Sequence, residues 1–434
     1  QGKPTDTPVW EKNGWLGDAN VALETMTYNF GFVNMLKQFV ETMEDCQNEF
    51  NNVPNMVPTQ GWGNDNTVVW NSIFVFGVDQ MIDTYGNESY LYEQYDAMRK
   101  LALKDIEESR KNGWTWSDGQ LADWVSPMGQ GDDDQDLPYS ESPSEGSGIC
   151  GTAFAYHLLD VMADLADRMG KTEDAAEYRA AMEKMYKAFN EKFYDAENQI
   201  YRTLTWSQQQ NRSRYRQTSQ LVPLAYGLVP EEYKDGVLTN LVNDIKDKNY
   251  HLDTGCVGSK FILPVLTDNG YADVAYKVAQ QKSYPSWGFM ADRGTSLWEM
   301  WETTSRSLGH YFLGTYDEWF YKGIGGIKDM QDGYKTVTIE PALNESLTYA
   351  KAGVNTVRGQ LQSDWTLNED QGVFDIQVPV GTTAEIILPT NDKSLILCNG
   401  QALSDTLNGI HAVTEEAGKV HIQTGSGIYK FETS

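Results

Sequence analysis

Gly333–Pro341, GYKTVTIEP, is where the hydrophobic period of the chain changes. Downstream, TVTIEP, VFDIQVPV, TTAEIILP, KSLILCNG, KVHIQTG and YKFETS are short alternating or β-branched runs. Gly, Asn, Asp and Pro turns separate them. That pattern predicts an antiparallel β-sandwich over residues 331–434. Upstream, apolar residues recur at threes and fours. Val21, Met26, Phe30, Val33, Leu36, Val40 and Met43 predict one amphipathic helix from Asp18 to about Gln47. Further helices are expected over Thr67–Tyr85, Glu88–Lys111, Cys150–Met169, Glu173–Phe193, Gln217–Tyr226, Glu231–Lys248, Gly258–Asn269, Tyr271–Gln281, Ser296–Ser307 and Tyr316–Ile324. Gly86 and Gly170 stand where left-handed caps are expected. Periodicity supports a large all-α domain over residues 1–330, and closing its hairpins into a ring is a further step.

The 434 residues suit two or three domains. A net charge of −28 repels nucleic acid and anionic membranes, and Lys and Arg total only 34, so a neutral substrate is the easier inference. No run of 18 apolar residues suggests membrane insertion. Cys46, Cys150, Cys256 and Cys398 form no CxxC pair; they suit buried thiols or one or two disulfides. The chain begins at Gln1, which fits a mature chain or a fragment. Its acidic, Trp-rich composition suits an exported enzyme, periplasmic or extracellular.

The chemistry concentrates in two stretches. Asp6–Asp18 places Asp6, Glu11 and Asp18 among Trp10, Trp15, Gly14 and Gly17 in a loop that feeds a helix. Aromatic faces pack on pyranose C–H groups, and carboxylates accept hydroxyl hydrogen bonds or move protons. Taken alone, the segment reads more readily as an exposed acidic loop. Tyr284–Trp301, YPSWGFMADRGTSLWEMW, is the second stretch. Here Glu299 and Glu302 are expected on the first turns of the Ser296–Ser307 helix, whose dipole favours ionised carboxylates. A carboxylate there, beside Trp287 and Trp298, suits a general base for water. The irregular segment from Asn112 to about Gly146 carries Asp123, Trp124 and the run Asp132, Asp133, Asp134 and Asp136. That run is a solvated loop or a Ca²⁺ site without EF-hand spacing. No motif for a catalytic metal is present, and His157, on a helix face, suits a core position.

In order along the chain, DTPVWEKNGWLGDA, VPTQGWGNDNTVVW, LADWVSP, HLDTGCVGSKFILPVLTDNGY, YPSWGFMADRGTSLWEMWE, SLGHYFLGTYDEWFYKGIGGI and GYKTVTIEP resemble the catalytic-domain pattern of the inverting α-L-rhamnosidases of glycoside hydrolase family 78. The resemblance runs from Asp6 to about Pro389. It implies a fold that is mainly α with a β domain, an (α/α)6 barrel followed by an antiparallel β-sandwich. It implies Glu11 as general acid and Glu299 as general base, with Asp6 and Asp18 on rhamnose hydroxyls. Trp62, Asp123, Trp124, Trp287 and His310 fall in pocket-lining segments of that family, beside Trp10, Trp15 and Trp298. Trp10 departs from the family pattern, which commonly has Arg there. An aromatic at that position changes the neighbouring subsite or the ease with which the acid keeps its proton. Family members also carry β-domains before the barrel, which would be partners of this chain. The implied substrate is a rhamnosylated glycoside or oligosaccharide with no cofactor. Inversion needs about 6.5–9.5 Å between the two carboxyls to admit water. An (α/α)6 glycosidase for another sugar and a non-catalytic sugar-binding relative are the alternatives; the second would lose one of the carboxylates.

Overall fold

A computed structural model describes residues 3–59, 61, 63–117, 121–127, 146–202, 215–344, 346–368 and 371–433. Helices dominate up to Ile324 and strands follow from Ile327. The expected Asp18–Gln47 helix is three pieces, Leu16–Val21, Leu23–Asn29 and Val33–Asp45. Its apolar spacing is helical throughout, but Phe30 is extended (φ −133°, ψ 151°) and Gly31 follows, so the chain turns. A similar division at Ser72 separates Val68–Asn71 from Ile73–Tyr85. Gly86 ends the latter at φ 69°, the left-handed cap expected of it.

Ser89–Lys111 shows how the helices are oriented. Leu91, Tyr95, Met98, Leu101, Ala102 and Asp105 face the core at helical spacing, while Lys104–Glu108 and Lys111–Glu107 pair on the other face. Ser147–Arg168 is long and apolar enough to cross a membrane, yet 78% of its apolar window is buried inside the protein. It packs on Ile73–Tyr85, Ser89–Lys111, Thr172–Phe193 and Thr218–Ala225. His157, on this helix, stacks on Tyr226 at 4.3 Å; burial pulls its pKa down to about 4, a neutral packed ring. Neighbouring helices pack in series, Val33–Asp45 on Ile73–Tyr85, Ile73–Tyr85 on Ser89–Lys111, Ser147–Arg168 on Thr172–Phe193 and Cys256–Asp268 on Ala272–Ala279, and the last segments return to the first. Phe312–Thr315 packs on Leu16–Val21, and Tyr316–Trp319 packs on Leu23–Asn29. Tyr28 stacks on Tyr321 with centroids 4.8 Å apart. The helical part is therefore a closed ring that brings the two ends of its sequence side by side.

Asp105 lies inside that ring with no exposed surface. Burial pushes its pKa up to about 8, against the pull of the Asn66 amide that donates to Oδ1 at 3.4 Å. A raised carboxyl pKa favours the folded state fully below the ordinary carboxylate value. That contribution is lost as pH rises from about 4 through about 8. Asp105→Asn is expected to remove this dependence and to exceed the native chain in stability by at least about 1 kcal/mol at pH 9. Thermal unfolding of both proteins from pH 5 to pH 9 checks it, and parallel curves would refute it.

A short hairpin, β1 (Tyr194–Asp195) and β2 (Ile200–Tyr201), interrupts the helices. The remaining strands are β3 Ile327–Gln331, β4 Thr336–Ile339, β5 Tyr349–Thr356, β6 Gly359–Asn368, β7 Gln371–Val378, β8 Thr383–Leu388, β9 Ile396–Cys398, β10 Gln401–Ala402, β11 Ile410–Glu416, β12 Lys419–Thr424 and β13 Gly427–Thr433. They form two sheets, ordered β10-β9-β13-β7-β6-β5 and β11-β12-β8-β4-β3. Trp365 opposes Phe374, which also opposes Phe431, and all three are buried, the alternation of a half-buried strand. One pairing departs from the antiparallel expectation. β4 and β8 run parallel, Val337 opposite Ala384, because the chain visits the other sheet through β5–β7 between them. The Trp365 indole N–H donates to Ile324 O at 2.8 Å, tying the sandwich to the ring. The four cysteines are free thiols.

Candidate active site

The Asp6–Asp18 loop is held by its backbone. Asp6 N–H donates to Asn13 O, Leu16 N–H to Asn55 O, and Val57 N–H to Gly14 O. Glycine is required twice. A Cβ on Gly14 would lie 2.2 Å from Val57 O, and one on Gly17 would lie 2.2 Å from the Trp70 ring. The second expected stretch departs from its prediction: Ser296–Ser307 is not helical. Trp287–Ala291 is helical instead, and Glu299 stands on a loop. Its N–H donates to Ser307 O at 2.9 Å, and His310 N–H donates to Leu297 O at 2.9 Å, so cross-loop pairing replaces the helical ladder. No helix dipole acts on Glu299.

The two stretches meet around one cavity of about 410 Å³. Asp6, Glu11, Trp15, Asp18, Trp124, Glu299 and His310 line it. Trp70, Leu121, Arg306 and Phe312 complete the lining and were not anticipated. The Trp15 indole donates to Glu11 Oε2 at 2.8 Å, and the Trp124 indole donates to Glu299 Oε1 at 3.4 Å. Asp6 and Asp18 are buried, whereas Glu11 is exposed at the mouth. Burial and then the nearby Asp18 charge push Asp6 up to about 6, although the Asn13 N–H, 2.8 Å from Oδ1, opposes this. His310 Nε2 lies 2.5 Å from Asp18 Oδ1. Burial works against charging that imidazole, but Asp18, together with the Glu299 and Asp6 charges, prevails and the pKa rises.

Four other candidates do not line the cavity. Asp123 is buried and accepts from Thr218 Oγ1 (2.6 Å), Gly255 N–H and Gly258 N–H (both 2.9 Å), so it caps the Cys256–Asp268 helix. Trp287 is buried, its indole on Leu313 O at 2.7 Å. Trp298 is buried against Phe289 with ring centroids 6.2 Å apart. Trp10 projects outward at 55% exposure, with the Arg306 guanidinium over its ring at 5.3 Å. Trp62 and Asp132–Asp136 lie outside the described residues. Among the described residues, no group of three or more His, Cys, Asp or Glu could hold a metal.

A closed helical ring with several carboxylates and aromatic side chains around one cavity is the arrangement of the six-hairpin glycosidase class. Residues 1–324 match the bacterial alpha-L-rhamnosidase 6 hairpin glycosidase domain, and residues 326–402 match the bacterial alpha-L-rhamnosidase C-terminal domain. The chain belongs to the bacterial alpha-L-rhamnosidase family. An alpha-L-rhamnosidase of Formosa agariphila is 29% identical over 450 residues, covering 99% of this chain and 45% of that protein. The alpha-L-rhamnosidase structure from Dictyoglumus thermophilum superposes with a TM-score of 0.87 at 27% identity, over 100% of this chain and 47% of that one. The Streptomyces avermitilis alpha-L-rhamnosidase complexed with L-rhamnose gives 0.85 at 26% identity, over 99% and 39%. The chain thus spans about half the length, or less, of the relatives it matches.

Proposed function

We propose that this chain hydrolyses terminal, non-reducing α-L-rhamnosyl residues with inversion. The observation that carries this reading is one cavity drawing Asp6, Glu11 and Asp18 from the start of the ring and Glu299 and His310 from its end. Glu11, at the mouth, protonates the leaving oxygen. Glu299, from the opposite end of the ring sequence, takes a proton from the water that attacks the anomeric carbon. Asp6 and Asp18 accept hydrogen bonds from ring hydroxyls, and His310 fixes Asp18. Trp15, Trp70, Trp124 and Phe312 supply apolar wall for pyranose C–H faces and for the C6 methyl of a deoxy sugar. Membership of the family and the rhamnose-bound relative support the choice of sugar.

Proton NMR during hydrolysis of a rhamnosyl glycoside tests the proposal. Free rhamnose whose first-formed anomer is β is the expected result. A first-formed α anomer rejects inversion, and release of another sugar in preference rejects the specificity.

A further inference from the structure

The cavity mouth carries an apolar rim. Val9, Trp10 and Leu308 are exposed large apolar side chains, at 69%, 55% and 52%. They belong to two segments that touch: a Cβ on Gly309 would sit 3.7 Å from the Pro8 ring. Arg306 joins them, since its guanidinium covers the Trp10 indole at 5.3 Å and comes within 4.0 Å of Glu11 Oε1. Arg306 and Glu11 both line the cavity, so the rim continues the pocket outward on the side of the acid.

We propose that Trp10, Arg306, Val9 and Leu308 form the leaving-group subsite and seat a flat aryl aglycone. This rests on the reading of Glu11 as the acid. The leaving oxygen must lie against Glu11, so whatever it carries emerges past Arg306 and the preceding residue, Trp10, which Arg306 covers. The indole, with the guanidinium over its ring, presents a broad flat surface to an aromatic ring. Covering exposed apolar side chains is favourable in proportion to the area removed from water.

Benzyl and methyl α-L-rhamnosides isolate this contact, because both leave as alkyl alcohols and only one carries a ring. The benzyl compound is expected to have the higher kcat/KM, and Trp10→Ala is expected to lower the benzyl-to-methyl ratio about tenfold. Arg306→Ala should lower it in the same direction. Equal ratios in the native chain and Trp10→Ala would overturn the subsite. So would a preference for a rhamnosyl uronate that Arg306→Ala abolishes, which would make the rim an acidic-sugar site. Calorimetric binding of the two rhamnosides to Glu11→Gln separates this from the hydrolase reading. Release of no rhamnose from any glycoside rejects the hydrolase, whereas equal affinity for the two compounds rejects the subsite.

Discussion

Glu299→Gln is expected to lower kcat by at least about 10²-fold on every α-L-rhamnoside, whatever its leaving group. An amide keeps the shape of the side chain and the hydrogen bond from the Trp124 indole, so the loss reports proton transfer rather than folding. Removing the base slows attack by water, and a better leaving group does not replace a missing nucleophile. Glu11→Gln should behave differently. On an alkyl glycoside, whose alkoxide leaves poorly, the same loss of about 10²-fold or more is expected. On a nitrophenyl rhamnoside, whose leaving oxygen needs little protonation, the loss should be much smaller. Steady-state kinetics on the two substrates yields a two-by-two pattern in which only Glu11→Gln discriminates. Full activity of either variant on both substrates would refute its role. A reversed pattern would exchange the two glutamates.

What the sequence discloses of this site follows from what kind of information periodicity carries. The Asp6–Asp18 loop was legible because its chemistry lies in residue types at short range, and Asp6, Glu11, Trp15 and Asp18 all reach the cavity. Ser296–Ser307 reads as a helix because Leu297, Trp298, Met300 and Trp301 mimic a helical stripe. Those tryptophans are buried, but in a loop stabilised by pairing to Ser307 and to the His310 N–H, contacts that spacing does not encode. Arg306, read as part of that helix, gave no sign of lying beside Trp10 and Glu11. Trp70 and Phe312 were hidden for another reason: an apolar side chain at a core position and one walling a cavity look alike in sequence. Gly17 held a clue to Trp70, since a helix-start glycine marks a close approach, though not to which partner. Asp123 sits beside Trp124, which does line the pocket, but the Gly255 and Gly258 N–H groups and the Thr218 hydroxyl hold its carboxylate at the starts of two neighbouring helices. The ring itself was half visible. The helices could be listed, yet their closure depends on pairs such as Tyr28 with Tyr321, far apart in the chain.

That closure includes a partly buried charge cluster, and Lys260→Met is expected to destabilise the protein by about 3 kcal/mol, the low end for breaking a buried pair, because Glu24 and Lys322 keep some contact with water. Lys260 Nζ lies 3.2 Å from Glu24 Oε1 and 2.9 Å from Glu318 Oε1, while Lys322 Nζ reaches the other oxygen of Glu24 at 2.5 Å. Glu24 comes from the second helix of the ring and Glu318 from its last turns, so Lys260 joins the two ends of the helical chain. The carboxylates respond oppositely. Burial pushes Glu24 up, but Lys322 and Lys260 together pull it far below the usual range. Burial also pushes Glu318 up, and there it prevails over Lys260, with the Glu24 charge adding to it. Two ammonium groups thus balance two carboxylates. Deleting Lys260 leaves buried Glu318 and half-buried Glu24 facing one cation, so a proton must be taken up or a charge left unpaired. Methionine fills much of the lysine volume, which confines the effect to charge. The double variant Lys260→Met/Glu318→Gln should recover a substantial part of the loss, because it restores the balance between Glu24 and Lys322. Urea unfolding of the three proteins decides it. A single variant within about 1 kcal/mol of the native chain, or a double variant no more stable than the single, would show that packing rather than charge closes the ring.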